Sequence, residues 1–249
     1  MPPPSSSPKV ALITGAARRI GRAIALDLAR HGWSIGVHYR KSAGDAQALV
    51  AQIKALDAGV AAAALTADLA EGAAVGKLVE DCAQALGAAP VCLINNASEF
   101  LLDTLQTLDE ATWDIHQNVN LKAPVFLAQA MLRTLPPESE GNIINIIDQR
   151  VWKLTPDFFS YTISKAGLWT ATRTLAQALS PRIRVNAIGP GPVLQSVHQT
   201  PQEFAAEQAA TLLKRGPSPE EIAAAVRFIL SSPSMTGQMI ALDAGQHLV

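Results

Sequence analysis

The 249-residue chain has only two cysteines, 5% aromatic residues, a formal net charge of -1 and no apolar run of the roughly 20 residues needed to span a bilayer. Each shortage excludes something. Cys82 and Cys92 lack metal-ligand spacing, so neither a disulfide-stapled fold nor a zinc module is expected, and both are read as reduced structural thiols of a cytoplasmic protein. With 20 Lys and Arg against 21 Asp and Glu and no dense basic block, nucleic acid and anionic membrane are not expected partners. No residue cluster suggests a metal. The segment Met1-Pro2-Pro3-Pro4-Ser5-Ser6-Ser7-Pro8 has no apolar core, so it is neither signal peptide nor anchor, and residues 1–8 are expected to form a disordered tail.

What the chain does have is aliphatic: 49% of it is apolar. A core of Ala, Val, Ile and Leu suits a parallel sheet covered by helices. Strand-like runs at 9–14, 34–39, 60–66, 91–95, 142–147, 183–187 and 239–242 alternate with helical patterns at 20–30, 45–56, 75–86, 109–135 and from Phe158 onward. The alternation has no linker or break in composition. The expected fold is α/β: one Rossmann-type domain over 9–249, a doubly wound parallel seven-stranded sheet with helices on both faces. The segment 189–217 falls outside the alternation, with a modest helix around 202–213, and is expected to form a substrate loop over a pocket. Within it Gln195, Ser196 and His198 have two readings, lining the pocket or facing water, of which water is preferred.

Three stretches carry chemistry. Tyr161 and Lys165 are four residues apart and share a helical face. A nearby ammonium favours a phenolate, so the spacing predicts that Lys165 lowers the pKa of Tyr161. Thr14, Gly15, Arg18, Arg19, Ile20 and Gly21 lie on the first strand-to-helix turn, where small residues let the backbone approach a pyrophosphate at a helix N-terminus. The second strand ends His38-Tyr39-Arg40-Lys41-Ser42, without the carboxylate that would hold an NAD ribose. Arg40, Lys41 and Ser42 can hold a 2′-phosphate through charge-assisted hydrogen bonds, so the expected cofactor is NADP(H).

These stretches, with Asp68-Leu69, Asn95-Asn96-Ala97, Asn120, and Asn186 through Pro190-Gly191, resemble the short-chain dehydrogenase/reductase family over the whole chain after the tail. By that resemblance Asp68 and Leu69 lie near adenine, Asn96 and Ala97 near the cofactor ribose, and Pro190 and Gly191 against the nicotinamide. Asn120 would order a proton-relay water. Lys165 would hold the nicotinamide ribose beside the catalytic Tyr161. Asp103, Asp109 and Asp114 match no motif and are read as solvated or capping groups.

Two departures from the family pattern are informative. Arg19 stands where a third glycine is usual, and Asp148 where the usual catalytic serine donates to a substrate carbonyl oxygen. An ionised carboxylate there repels the negative charge that develops during ketone reduction. Together with Asn95-Asn96-Ala97-Ser98-Glu99-Phe100, they resemble the pteridine reductases and their bacterial dihydromonapterin/dihydrofolate reductase relatives. In that branch the residue matching Arg19 reaches cofactor phosphate and substrate. The residue matching Ser98 binds cofactor phosphate, and that matching Phe100 stacks on the pterin. The resemblance implies hydride transfer from NADPH to a pteridine or dihydropteridine ring, with Tyr161 as proton donor hydrogen-bonded to Asp148. It also implies a homotetramer. Two alternatives stay open: an NADPH-dependent ketone or 3-oxoacyl reductase of the same family, and a non-catalytic NADPH-binding sensor.

Overall fold

Every residue of the run Val10-Ala11-Leu12-Ile13 is buried, as befits a parallel strand covered on both faces. In the computed structural model, which describes residues 9–56 and 59–249, this run is β1 (Val10–Ile13), an interior strand of a seven-stranded sheet. The tail expected at 1–8 lies outside the described residues. The remaining strands are β2 (Ser34–Tyr39), β3 (Ala62–Thr66), β4 (Cys92–Asn95), β5 (Gly141–Ile146), β6 (Ile183–Pro190) and β7 (Met239–Leu242). They pair in parallel in the order β3-β2-β1-β4-β5-β6-β7, as the alternation of elements predicts.

Alternate residues of β1 enter two separate cores. Ala11 and Ile13 pack among Ile24, Ile35, Leu49 and Ile222, on the face covered by α1 (Arg19–Arg30), α2 (Ala43–Lys54) and α8 (Pro219–Leu230). Val10 and Leu12 pack among Leu78, Leu127, Met131 and Ala176, under α3 (Gly72–Leu86), α5 (Ala123–Thr134) and α6 (Phe159–Leu179). Between them α4 (Glu110–Gln117) leads into α5 through a wider π-turn at Asn118–Lys122, so the expected helix over 109–135 changes pitch at Asn120.

The segment after β6 holds α7 (Pro201–Ala210), close to the helix expected there. α8 lies outside the helical runs read from periodicity, although its start is written in the sequence. Ser218 and Glu221 form a reciprocal capping box around Pro219. Among the described residues no helix is long and apolar enough to cross a membrane, and no group of three or more His, Cys, Asp or Glu could hold a metal ion. Cys82 and Cys92 are buried free thiols, each pushed up to about 12 by desolvation.

The chain winds from β1 outward to β3, then returns to β4 on the other side. The crevice opens where that direction reverses, at the carboxyl ends of the strands. Gly15 follows β1, Arg40 β2, Asp68 β3, Asn96 β4 and Asp148 β5, and Pro190 ends β6; all six line one of two adjoining cavities.

Candidate active site

The smaller cavity, about 350 Å³, is a groove over the first strand-to-helix turn. Gly15 has a φ of 62°, and a Cβ there would lie 3.0 Å from the Ala97 Cα. At Gly21 a Cβ would come within 2.5 Å of the Gly15 carbonyl oxygen. Thr14 sits beneath the turn: its Oγ1 accepts from the Asn96 and Ala97 amides at 2.9 and 3.0 Å, and Asn96 Nδ2 donates to the Thr14 and Gly15 carbonyls. The turn and the end of β4 therefore form one rigid lip beside the N-terminus of α1, which has no acidic residue in its first turn.

Of the residues singled out in the sequence, Gly15, Arg18, Arg19, Ile20, Gly21, His38, Arg40, Asp68, Leu69, Asn96, Ala97 and Ser98 line this groove; Tyr39, Lys41 and Ser42 do not. His38 is buried and does other work. Its Nδ1 accepts from the Gly15 amide at 3.0 Å, leaving Nε2 to donate to the Ala67 carbonyl at 3.1 Å. Burial lowers its pKa to about 4, so it is a neutral brace. Arg40 ion-pairs with Glu99 at 2.6 Å across the groove. Glu99 was not among the sequence-predicted residues.

Arg19 accounts for its own departure from glycine. Its φ of 53° is the left-handed conformation that a glycine would provide, costing a larger residue about 1–2 kcal/mol. In exchange its guanidinium donates to the carbonyls of Gln195 and Leu194 at 2.9 and 3.0 Å, tying the 189–217 segment across both cavities.

The larger cavity, about 810 Å³, continues from the groove. Asp148, just past β5, faces Tyr161 in the first turns of α6. Tyr161 Oη donates to Asp148 Oδ2 at 2.8 Å, while Asp148 Oδ1 accepts the Arg150 amide at 2.8 Å. Desolvation raises the Asp148 pKa, and desolvation first, then the Asp148 charge, holds Tyr161 well above the usual phenol value. Lys165 Nζ donates to the Ile146 carbonyl at 2.9 Å and lies 5.7 Å from the Tyr161 ring centroid. Burial lowers its pKa to about 8 against the pull of Asp148. The lowered phenol predicted from the Tyr161–Lys165 spacing is thus corrected. The carboxylate touches the hydroxyl and the ammonium does not, so Tyr161 keeps its proton.

Asn120, fully buried in the π-turn, has its whole amide in use. Oδ1 accepts from the Glu99 amide at 2.8 Å and lies 3.1 Å from Ser98 Oγ; Nδ2 donates to the Glu99 carbonyl and to Ser164 Oγ. With these bonds its side chain anchors the Ser98-Glu99 turn.

Phe100 stacks on Phe158, with centroids 4.2 Å apart and planes 7° from parallel, and meets Tyr161 edge-on at 4.7 Å. Phe158, read from the sequence only as the start of a helix, caps α6 at a φ of 55° and lines the cavity, with the Arg150 guanidinium 5.2 Å over its ring. Pro190 and Gly191 line the same cavity, with Gly191 packed so closely that a Cβ would lie 2.7 Å from the Asp243 Cα. Ser196 and His198 line it too, the latter while remaining exposed, and His198 Nε2 donates to the Phe100 carbonyl at 2.8 Å; Gln195 is exposed.

Asp109 caps α4 through the Thr112 amide and Asp114 is exposed, in line with their expected roles. Asp103 is not solvated. It is buried and accepts from the Ser160 amide and hydroxyl, and Ser160 Oγ lies 2.6 Å from His116 Nδ1. No motif marked this cluster; the only available signal was a histidine on the inner face of α4.

This fold, crevice and Tyr161–Lys165 pair belong with the comparisons to known proteins. Residues 15–247 match the family model described as enoyl-(acyl carrier protein) reductase. A 3-oxoacyl-(acyl-carrier-protein) reductase of Staphylococcus epidermidis is 33% identical over 245 residues, covering 96% of this chain and 99% of that protein. A short-chain type dehydrogenase/reductase of Picea abies is 30% identical, covering 96% and 92%. The chain belongs to the short-chain dehydrogenase/reductase family. Within it, this chain is similar to the solved FolM alternative dihydrofolate reductase 1 of Brucella canis, complexed with NADP: 47% identity, TM-score 0.90, 97% and 95% of the two chains covered. The Brucella suis counterpart, also in complex with NADP, matches with the same identity and TM-score, covering 97% and 96%.

Proposed function

We propose that the protein is an NADPH-dependent reductase of a pteridine or dihydropteridine ring, of the pterin, dihydromonapterin or dihydrofolate type. The observation that carries this reading is the 2.8 Å hydrogen bond from Tyr161 to Asp148. The two structures of FolM alternative dihydrofolate reductases, both with NADP, support it.

The groove fits NADP(H): its lip is built of small residues at the start of α1, no carboxylate ends β2, and Arg40 faces it. Gly15 through Gly21, Asn96, Ala97 and Ser98 would hold the phosphates and ribose. Asp68 and Leu69 would hold the adenine, Arg40 the 2′-phosphate, and Pro190 and Gly191 the nicotinamide, while Lys41 and Ser42, which lie outside the groove lining, would not touch the cofactor. The bound cofactor supplies a hydride.

The chain's own residues supply the proton and the orientation. Tyr161, with its pKa raised, carries a proton to the ring nitrogen beside the carbon that is reduced. Asp148 holds that hydroxyl in line and, as an acceptor, pairs with ring N–H groups that a serine hydroxyl would serve less well. Lys165 compensates the charge left on the pair. The Phe100–Phe158 stack presents a flat aromatic surface at the cavity for a planar ring, and Arg19 closes the site from above.

We read residues 9–249 as one domain, with 189–217 as its substrate loop, and the protein as a cytoplasmic homotetramer. Phe126, Leu132 and Ile163 on α5 and α6, and Phe228 on α8, are exposed apolar side chains of the kind that subunit contacts cover. Light scattering in solution checks this; a monomer contradicts it. Carbonyl reduction is the second reading, favoured by the 3-oxoacyl reductase relatives, and the substrate panel that closes the Discussion separates the two.

A further inference from the structure

Behind Tyr161, away from both cavities, Asp103, His116 and Ser160 form a buried chain of hydrogen bonds. Its polarity can be read from one fixed donor. The Leu101 amide donates to His116 Nε2 at 3.0 Å, so that nitrogen carries no hydrogen and Nδ1 does. His116 Nδ1 then donates to Ser160 Oγ at 2.6 Å, which leaves the Ser160 hydroxyl to donate to Asp103 Oδ2. The Asp103 carboxylate also accepts the Ser160 amide, in the first turn of α6. Ser160 is enclosed and its proton is committed to a carboxylate, so the cluster is no nucleophilic triad. It joins three pieces of backbone instead: the Phe100-bearing segment, the inner face of α4, and the residue next to Tyr161.

We propose that His116 is a positioning residue of the reductase: in its neutral Nδ1–H form it pins the Leu101 amide and thereby holds the Phe100 ring against Tyr161. The proposal rests on the pteridine reading for what Phe100 receives, but not for the network itself. The geometry downstream is short. Phe100 adjoins Leu101 in the chain, and its ring meets Tyr161 edge-on at 4.7 Å, while the His116 ring lies 5.9 Å from the Tyr161 ring. Protonating His116 would turn Nε2 into a donor facing the Leu101 N–H and release that anchor. The groups facing the imidazole are Asp103 and Glu99 from the 96–109 segment, and Ser160, Tyr161 and Lys165 from α6. Desolvation outweighs the two carboxylates and holds the ring below the usual histidine value, so the anchor is intact at neutral pH and fails only on the acid side of 6.5.

The test has two arms on the NADP-loaded enzyme. Long-range 1H–15N correlation spectra, assigned with His116→Gln, should show His116 protonated at Nδ1 and bare at Nε2 at neutral pH. The opposite tautomer, or a charged ring, overturns the proposal whatever the substrate proves to be. The second arm measures kcat and KM against pH, using whichever pteridine or ketone the wild type turns over. In wild type KM should climb as pH falls below the imidazole range, while kcat and NADPH affinity stay nearly level. His116→Gln keeps an acceptor for Leu101 and does not titrate, so its acid rise in KM should vanish. His116→Phe should raise KM by roughly tenfold at neutral pH, the loss expected when a buried amide is left without a partner, and the wild type should approach that KM as pH falls. An acid limb that survives in His116→Gln has a source other than His116 and overturns the proposal. So does an unchanged KM in a His116→Phe variant that binds NADPH. If His116→Phe binds none, the glutamine variant and the spectra decide.

Discussion

Tyr161 Oη donates to Asp148 Oδ2 across 2.8 Å, while Lys165 Nζ points instead at the Ile146 carbonyl. The phenol therefore answers first to a carboxylate. Desolvation first, and then that carboxylate, hold the phenol's pKa up, so Tyr161 is a stored proton across the neutral range. That arrangement suits protonation of a ring nitrogen and opposes build-up of an alkoxide beside Asp148.

Removing the stored proton should abolish turnover without emptying the groove. Tyr161→Phe is expected to lower kcat by on the order of 100-fold or more while NADPH binding, followed by nucleotide fluorescence, stays nearly intact. Unchanged turnover would refute the proton-donor role.

Exchanging the acceptor for a donor should redirect the chemistry. Asp148→Ser is expected to lower pteridine reduction and raise carbonyl reduction, both read as NADPH consumption, because a hydroxyl can donate to a developing oxyanion where a carboxylate repels it. A variant that loses both activities equally argues that Asp148 serves only to hold the Arg150 turn.

The Arg40–Glu99 pair bears on cofactor choice. Arg40→Ala should raise the NADPH KM by roughly 10-fold or more, the worth of a charge-assisted hydrogen bond, and scarcely alter any NADH KM. Glu99→Gln frees the same guanidinium from a partly exposed ion pair, so NADPH should bind up to about fivefold tighter. Equal effects of Arg40→Ala on both cofactors would remove Arg40 from the 2′-phosphate.

Lys165 ties function to a cost in stability. Burial lowers its pKa from the usual 10.5 to about 8, so below pH 8 the folded protein carries a penalty on the order of 3 kcal/mol, while above it the penalty fades as the unfolded chain also loses its proton. Lys165→Met should therefore unfold at equal or higher urea than wild type at pH 7, with the gap narrowing toward pH 10, and be inactive. A variant markedly less stable than wild type at pH 7 contradicts this account of the buried amine.

The fold was legible because β1 to β7 are short, almost wholly apolar runs separated by helical periods, and parallel connections leave few topologies. The turn at Gly15–Gly21, the bare end of β2 and the Asp148 substitution were legible because each is a residue type out of place for one chemistry and in place for another. What escaped depends on distance between segments. Asp103 looks like any loop carboxylate until Ser160, 57 residues on, is folded against it. Phe158 and Glu99 acquire meaning only once Phe100 and Arg40 are beside them. The lowered phenol failed for the same reason: i, i+4 spacing fixes the helical face, but the partner that touches the hydroxyl comes from β5.

The central claim is that a ring nitrogen, not a ketone oxygen, receives the proton of Tyr161. The direct measurement is kcat/KM with NADPH across pterins, dihydropterins, dihydrofolate, simple ketones and 3-oxoacyl thioesters in one assay. The account predicts that a pteridine or dihydropteridine is reduced with the highest kcat/KM and that Tyr161→Phe abolishes this activity. A ketone or 3-oxoacyl thioester reduced more efficiently than every pteridine would contradict it.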